Sequence, residues 1–449
     1  MIRSTRSRRA VAAVAGASVI ALGLAACSSD DSPKADETGN TSTSTDGGKS
    51  DEKIELTVAT FNNFGYTDEL LAEYTALHPN ITVKHNIAAK SDDARLNLTT
   101  RLAAGGDGLA HVEGIEIDWM PELSQISDKF ADLDSDSVKG RWLDWKEAQG
   151  RTTDGKLIGY GTDIGPEAIC YRADLFKAAG LPSDREEVAK LLGGADATWE
   201  KYYEVGEQFV KNSDSAWFDS AGATWQGVVG QIAEPYENKA DGSVKPLKDN
   251  TAIKDAYMSV LNASKDLSGN FDQWSKDWEA SFQNNGFATM LCPGWMTGSI
   301  ESYSGGVTGW DVADVYPGGA GNWGGSFLTV PATGKHVEEA KALADWLTAP
   351  EQQVKAFKNA GNVPSQIETL GSDEVLNTTN EFFSNAPVGQ IFGNRAKAIT
   401  ADSLPFKGTN YFKINTVITN ALKRVDVEKT DTPESSWEKA LKEFDDLGL

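Results

Sequence analysis

Apolar and polar positions first alternate at residues 54–60, Ile-Glu-Leu-Thr-Val-Ala-Thr, the period-two pattern of a strand with one buried face. A polar and aromatic loop, Phe61-Asn62-Asn63-Phe64-Gly65, follows directly. Residues 68–77 carry a helical pattern that His78-Pro79-Asn80 stops, and residues 81–86 read as a second strand. Residues 94–104 predict another helix, ended by Gly105-Gly106, and residues 112–117 a third strand. An opening β-α-β-α-β order predicts a parallel sheet with right-handed crossovers. Open sheets of this kind hold ligands beyond the carboxyl ends of their strands. Those ends are residues 61–64 and Asp118-Trp119, and both set an aromatic beside Asn or Asp.

Further along, residues 156–160 predict a short strand, and residues 168–172 an apolar, extended segment. A helix begins at residues 174–179 and is closed by Gly180-Leu181-Pro182. Residues 198–212 and 252–265 are amphipathic helices, and residues 286–291 form a strand feeding Cys292-Pro293-Gly294-Trp295. A strand at 326–330 precedes helices at 337–347 and 351–359, then a turn at Gly361-Asn362-Val363-Pro364. Two helices, 414–425 and 434–444, end the chain. Nearly 400 residues of this patterned sequence exceed what one hydrophobic core usually serves, so two α/β domains are expected.

The patterned region does not start at residue 1. Arg3, Arg6, Arg8 and Arg9 precede a short apolar run at residues 10–21, and Leu24-Ala25-Ala26-Cys27 follows. This is an export signal, residues 1–26, too short and wrongly flanked to span a membrane. Leu-Ala-Ala-Cys resembles the bacterial lipobox, which implies that Cys27 becomes a lipid-bearing N-terminus; Ser7-Arg8-Arg9 leaves a twin-arginine route open. Residues 27–53 are dominated by Ser, Thr, Asp, Gly and Lys, a composition that cannot offset its ordering entropy and predicts a flexible tether.

The formal charge is −24, and loss of the four arginines of the signal leaves −28. So acidic a chain is a poor candidate for nucleic acid or anionic lipid, which require Lys/Arg patches. Only Cys170 and Cys292 remain beside Cys27; one bridge or two buried thiols are both compatible with their spacing.

Chemistry concentrates in residues 274–325. Five of the thirteen tryptophans (Trp274, Trp278, Trp295, Trp310, Trp323) and ten glycines from Gly294 to Gly325 fall here. Buried indoles need a partner for their N–H and glycines contribute nothing to packing. Together they suit a wall for a flat, hydroxyl-rich ligand. Aromatic faces would take up C–H surfaces, and glycines such as Gly325 would let the backbone approach. The competing reading is that these rings fill an interior.

Catalytic signals are weak. The sequence contains no Gly-x-Ser-x-Gly elbow and no His-Glu-x-x-His, and its four histidines share no metal-ligand spacing. A glycosidase needs a facing carboxylate pair, but 66 acidic residues make some pair inevitable and uninformative. Gly319-Ala320-Gly321-Asn322-Trp323-Gly324 matches G-x-G-x-x-G yet leads into a strand, not a helix, so no dinucleotide site is expected. No enzyme activity, metal or cofactor is expected.

Several motifs in order then resemble one family. They are Trp119-Met120-Pro121-Glu122-Leu123; residues 165–176, Gly-Pro-Glu-Ala-Ile-Cys-Tyr-Arg-Ala-Asp-Leu-Phe; and residues 282–290, Phe-Gln-Asn-Asn-Gly-Phe-Ala-Thr-Met, running into Pro293-Gly294-Trp295. Residues 342–347, Ala-Leu-Ala-Asp-Trp-Leu, with Glu351-Gln352-Gln353 and Gly361-Asn362-Val363-Pro364, complete the set. The chain resembles the carbohydrate-binding lipoproteins of ABC importers, typified by maltose-binding protein. Around residues 322–366 and 391–412 it is most similar to the cellobiose and cellotriose binders.

The resemblance implies a two-lobed, periplasmic-binding-protein-like α/β fold of type II, each lobe a mixed sheet flanked by helices, joined by hinge segments. One lobe would comprise 54–166 and 328–370, the other 167–327 and 371–449. Crossings are expected near residues 165–171, 326–330 and 365–373. The sugar would lie between lobes that close on it. Trp295, at a position where the family places a sugar-facing aromatic, is the leading ligand residue, followed by Trp119 and Trp323. Asp163, Asn63 and Asp118 would read hydroxyls, with Trp278, Tyr236 and Arg395 as lesser contributors. The implied partners are an oligosaccharide, the permease's transmembrane subunits, and the membrane through the lipid alone, with the protein a monomer on the outer face of the cytoplasmic membrane. Another oligosaccharide, of xylobiose or maltose type, or a sugar-sensing role is the alternative.

Overall fold

A computed structural model describes residues 52–449. The expected export signal, the lipobox Cys27 and nearly all of the tether lie outside the described residues. Among the described residues no helix is long and apolar enough to cross a membrane.

Among the described residues eleven strands follow in chain order: β1 (Ile54–Phe61), β2 (Ile81–Ala88), β3 (Val112–Glu116), β4 (Tyr160–Gly161), β5 (Asp163–Ile164), β6 (Glu167–Arg172), β7 (Ala216–Phe218), β8 (Phe287–Pro293), β9 (Trp310–Ala313), β10 (Ser326–Thr329) and β11 (Val363–Pro364). The first sheet has the order β2-β1-β3-β10-β4. β1 pairs in parallel with β2 and β3, as the opening pattern predicts, while β10 enters antiparallel between β3 and β4. Alternation drives β1 into place: Ile54, Leu56 and Val58 are buried while Glu55 is exposed. The helix Asp68–Leu77 starts where Thr67 accepts from the Leu70 N–H, with Asp68 and Glu69 in its first turn.

The second sheet has the order β7-β8-β6-β9. All six residues of β6 are buried, because helices cover both faces. Ala168 and Cys170 face one core with Met290 and Cys292, whereas Ile169 and Tyr171 face another with Ala288 and Leu291. Cys170 and Cys292 form a disulfide that staples β6 to β8, with Cα atoms 5.4 Å apart. A fourth cluster joins the helices Ala221–Val229, Thr251–Leu267, Tyr411–Asp426 and Pro433–Asp446 around Trp225, Tyr257 and Trp437.

The chain leaves the first sheet through Gly165-Pro166 between β5 and β6, and returns through residues 321–325 before β10. Here Pro166 bridges Asn322, so departing and returning segments lie side by side. A third passage follows the helix Val337–Leu347, whose Leu343 and Leu347 pack in the first core. Pro350 restarts a helix, Pro350–Ala360, whose Val354 and Phe357 pack in the second.

Two expectations change. The strand expected at 156–160 is confined to β4, because Arg151 and Leu157 bridge each other locally first. The run 274–325 is not one wall: it also contains the helices Lys276–Ser281 and Met296–Tyr303 and the strand β9, and its Trp278 and Trp310 are core residues.

Candidate ligand-binding site

A cavity of about 610 Å³ opens where β1 and β3 end and β10 begins, against the helix Tyr411–Asp426 and the start of the helix Ala221–Val229. That is a volume ordinary for a small-molecule site. Seven expected residues line it: Asn63, Asp118, Trp119, Asp163, Trp295, Trp323 and Gly325.

One wall is aromatic. Trp274 stacks on Trp295 with centroids 6.1 Å apart and planes at 24°, and Trp295 meets Trp323 edge-on at 5.6 Å and 79°. All three are half-buried, leaving ring surface toward the cavity. Trp295 is fixed by donating from Nε1 to the Trp323 carbonyl at 2.9 Å.

The first-sheet side is polar but largely committed. The Asp163 carboxylate accepts from Thr162 Oγ1 (2.8 Å) and from the Ser326 N–H (2.9 Å), tying β5 to β10. Asn63 accepts from the Gly65 N–H through its Oδ1, a turn that frees only its amide nitrogen. Asp118 is ion-paired with Lys407. Trp119 packs on Phe61 at 5.3 Å and is almost wholly buried, so it forms floor rather than wall.

Below that floor lies Lys146, fully buried, its Nζ 3.7 Å from the centroid of the Phe327 ring and without a hydrogen-bond partner. Desolvation pushes its amine down to about 7 against the pull of Asp163 and Glu116. Burial pushes the carboxyls of Asp163 and Glu116 up in turn. Gly325, at φ +101°, brings backbone over this amine: an added Cβ would stand 3.2 Å from Nζ.

Trp278, Tyr236 and Arg395 lie outside the cavity lining. Trp278 is core, its Nε1 donating to Asp219 at 2.8 Å. Tyr236 is buried against Tyr411 and donates to Asn415 Oδ1 at 2.8 Å, one residue behind the cavity surface. Arg395 pairs with Asp314 at 2.7 Å.

The polar residues that sequence reading missed come mostly from helices. Gln226, Asn415, Asn420 and Lys423 line the cavity, as do Gln273 and Trp274. Asn415, Asn420 and Lys423 belong to the amphipathic helix Tyr411–Asp426, whose polar positions by themselves read as solvated surface, and Gln226 is an isolated polar position in the mostly apolar helix Ala221–Val229. Trp274 lay in the aromatic run, with nothing to set it apart from Trp278. Among the described residues no group of three or more His, Cys, Asp or Glu could hold a metal ion.

An α/β body with a cavity between its two larger sheets is the architecture expected of a solute-binding protein. The sequence pattern of bacterial extracellular solute-binding proteins matches residues 69–379, and the chain belongs to that family. It binds a solute; it is not an enzyme. A crystal structure of an extracellular solute-binding protein of family 1 is 46% identical, covering 88% of this chain and 99% of its own, with a TM-score of 0.75. Two more distant structures share the fold at 18% identity. The binding protein from B. animalis subsp. lactis Bl-04 in complex with β-1,6-galactobiose has a TM-score of 0.73 and coverage of 88% and 98%. Maltose-bound T. maritima MalE3 has a TM-score of 0.68 and coverage of 88% and 100%. No match is found among curated protein sequences.

Proposed function

We propose that this protein captures an oligosaccharide for an ABC importer, with cellobiose or cellotriose as its ligand. The observation that carries the reading is the indole trio Trp274, Trp295 and Trp323 facing amides across one cavity. Pyranose rings present apolar C–H faces to aromatic rings, each contact adding ~0.5–1.5 kcal/mol beyond area burial. Asn415, Asn420 and Gln226 would then read the hydroxyls.

Charge supports an uncharged ligand. Asp118 is neutralised by Lys407, Arg95 by Glu122, and Lys423 by Asp272 at 2.8 Å. A charged solute that engaged one of these three groups would have to break its pair. The flat, extended form of β-1,4-linked glucose suits an aromatic wall, and the two distant fold relatives were captured with oligosaccharides, β-1,6-galactobiose and maltose.

In this reading the lobe built on the first sheet and the lobe built on the second close on the sugar and present it to the permease. Cys27 holds the protein by its lipid on the outer face of the cytoplasmic membrane. The test is a thermal-shift screen of the mature domain against cellobiose, cellotriose, maltose, xylobiose and several amino acids, since a ligand of the folded state raises the melting temperature. A shift with cellobiose or cellotriose alone is expected. A shift with maltose or xylobiose instead overturns the cello-oligosaccharide assignment, and a shift only with amino acids overturns the sugar.

A further inference from the structure

Trp274 supplies one of the cavity's three half-buried indoles, and its backbone is anomalous. Its φ is +65°, in the left-handed region that bulky side chains avoid. Nothing in a tryptophan favours that conformation, so its surroundings must impose it. The residues that do so converge on one buried carboxylate outside the cavity, that of Asp219, which is 1% exposed.

Asp219 Oδ2 accepts from Gln273 Nε2 and from Trp278 Nε1, each at 2.8 Å. These donors stand immediately before Trp274 and four residues after it. The backbone repeats the attachment: the Phe271 N–H donates to the Asp219 carbonyl at 3.1 Å and the Gly269 N–H to that of Phe218 at 2.8 Å. Trp278, once fixed, lies 4.9 Å from the Trp274 ring at 51°, and Trp274 is left stacked on Trp295. The other oxygen, Oδ1, is held by the Ser220 N–H at 2.8 Å, so the carboxylate cannot swing away.

We propose that Asp219 is a positioning residue for the binding wall: one carboxylate oxygen clamps both sides of Trp274 and holds its ring in the strained pose that completes the ligand surface. A buried acid that merely satisfies neighbouring donors would show the same bonds but would not transmit its loss through one ring. Asp219→Asn keeps the shape but leaves one oxygen for three N–H groups, so whichever way the amide turns its nitrogen faces either Ser220 or the Gln273–Trp278 pair. Trp274→Gly removes the ring and accepts the positive φ without strain.

Both variants and their combination decide the matter, read in two ways. The first is the near-ultraviolet circular dichroism of the ligand-free protein, where the stacked Trp274–Trp295 pair contributes a coupled signal. The second is calorimetric affinity for cellotriose, a probe that rests on the oligosaccharide reading. Trp274→Gly is expected to weaken binding about tenfold. Asp219→Asn should cause about a threefold to tenfold loss and remove the same dichroic signal, yet change affinity less than about twofold once Trp274 is already Gly. Equal losses in both backgrounds, or an unchanged signal and affinity in Asp219→Asn, overturn the proposal. Should Asp219→Asn not fold, Gln273→Leu deletes one of the two donors with every indole retained and must move the dichroic signal in the same direction; an unchanged signal overturns the proposal. Should cellotriose not bind the unsubstituted protein, the oligosaccharide reading is what fails, while the ligand-free signal still decides the role of Asp219.

Discussion

Gly165 offers the sharpest test of how the cavity is held. Its backbone, at the exit from the first sheet, is pressed against the returning segment so closely that an ideal Cβ would stand 1.8 Å from the Trp323 carbonyl oxygen and 3.3 Å from Trp295 Nε1. A carbon and a carbonyl oxygen need about 3.3 Å, so Gly165→Ala must open this strip by roughly 1.5 Å. Three hydrogen bonds share the strip. The Trp323 N–H donates to the Gly165 carbonyl at 2.9 Å, the Gly165 N–H to Asn322 Oδ1 at 3.0 Å, and Trp295 Nε1 to the Trp323 carbonyl at 2.9 Å. None survives such a displacement, and at ~0.5–1.5 kcal/mol each their loss costs ~2–4 kcal/mol. That agrees with the ~1–3 kcal/mol typical of overpacking. The assay is urea unfolding followed by tryptophan fluorescence, with ligand affinity measured alongside, since Trp295 and Trp323 both move. Gly222→Ala is the control: it lines the same cavity in the helix Ala221–Val229, and its new methyl group meets nothing closer than Ser220 Oγ at 4.0 Å. That change should stabilise the protein by ~0.5–1 kcal/mol. A Gly165→Ala protein with an unchanged midpoint and affinity would refute the close approach and the reasoning built on it.

Three further outcomes are expected. Trp295→Ala should weaken sugar binding about tenfold or more while the far-ultraviolet spectrum stays native, because the ring is half-buried cavity wall; unchanged affinity by calorimetry removes Trp295 from the site. Reduction of the Cys170–Cys292 bridge, whose cysteines are 122 residues apart, should cost ~2–5 kcal/mol, so dithiothreitol lowers the melting temperature of the native protein but not that of the Cys170→Ser, Cys292→Ser double variant. Glu167, buried at the start of β6 and accepting from the Tyr316 hydroxyl at 2.8 Å, has its carboxyl pushed by desolvation from 4.5 up to about 8. The folded state therefore holds a proton that the unfolded state releases, and stability should fall as pH rises from 4.5 toward 8, by at most ~4–5 kcal/mol from this group. Glu167→Gln keeps an acceptor for Tyr316 and should flatten that slope; a slope unchanged by the substitution assigns it elsewhere.

How much of this was legible depends on what each pattern encodes. Alternation in β1 and the capped helix behind it report one buried face, so the opening β-α-β-α-β order could be read directly from spacing. The strands β7 and β9 are too short, three and four residues, for a period to register. The wall was half legible. Composition concentrated indoles in 274–325, but composition cannot tell Trp274 from Trp278, four residues apart, where one ring lines a cavity and the other is sealed behind it. That difference is made by Asp219, more than fifty residues earlier, which draws the Trp278 N–H inward. The helix Tyr411–Asp426 was legible as a helix and illegible as a site, because a solvated face and a cavity face are both polar. Tyr236 shows the converse: its hydroxyl meets Asn415, so the residue behind the surface was picked and the one at the surface was not.

The committed state of the first-sheet acids changes where selectivity resides. Asp163 is consumed in joining β5 to β10, and Asp118 in pairing with Lys407. A sugar hydroxyl approaching Asp118 competes with a charge-assisted contact already made, and gains only the difference between the two. Asn415 has likewise lent its oxygen to Trp225 and Tyr236, at 2.9 and 2.8 Å, which fixes the amide and turns its nitrogen outward as a donor. Donors oriented in this way select for acceptor oxygens at fixed positions, whereas the indoles tolerate any apolar ring face. On the proposed reading affinity would come chiefly from Trp274, Trp295 and Trp323, and discrimination between linkages from the amides of the helix opposite. A substitution at Asn415 should therefore reorder the preference among disaccharides of equal size, and one at Trp295 should weaken all of them alike.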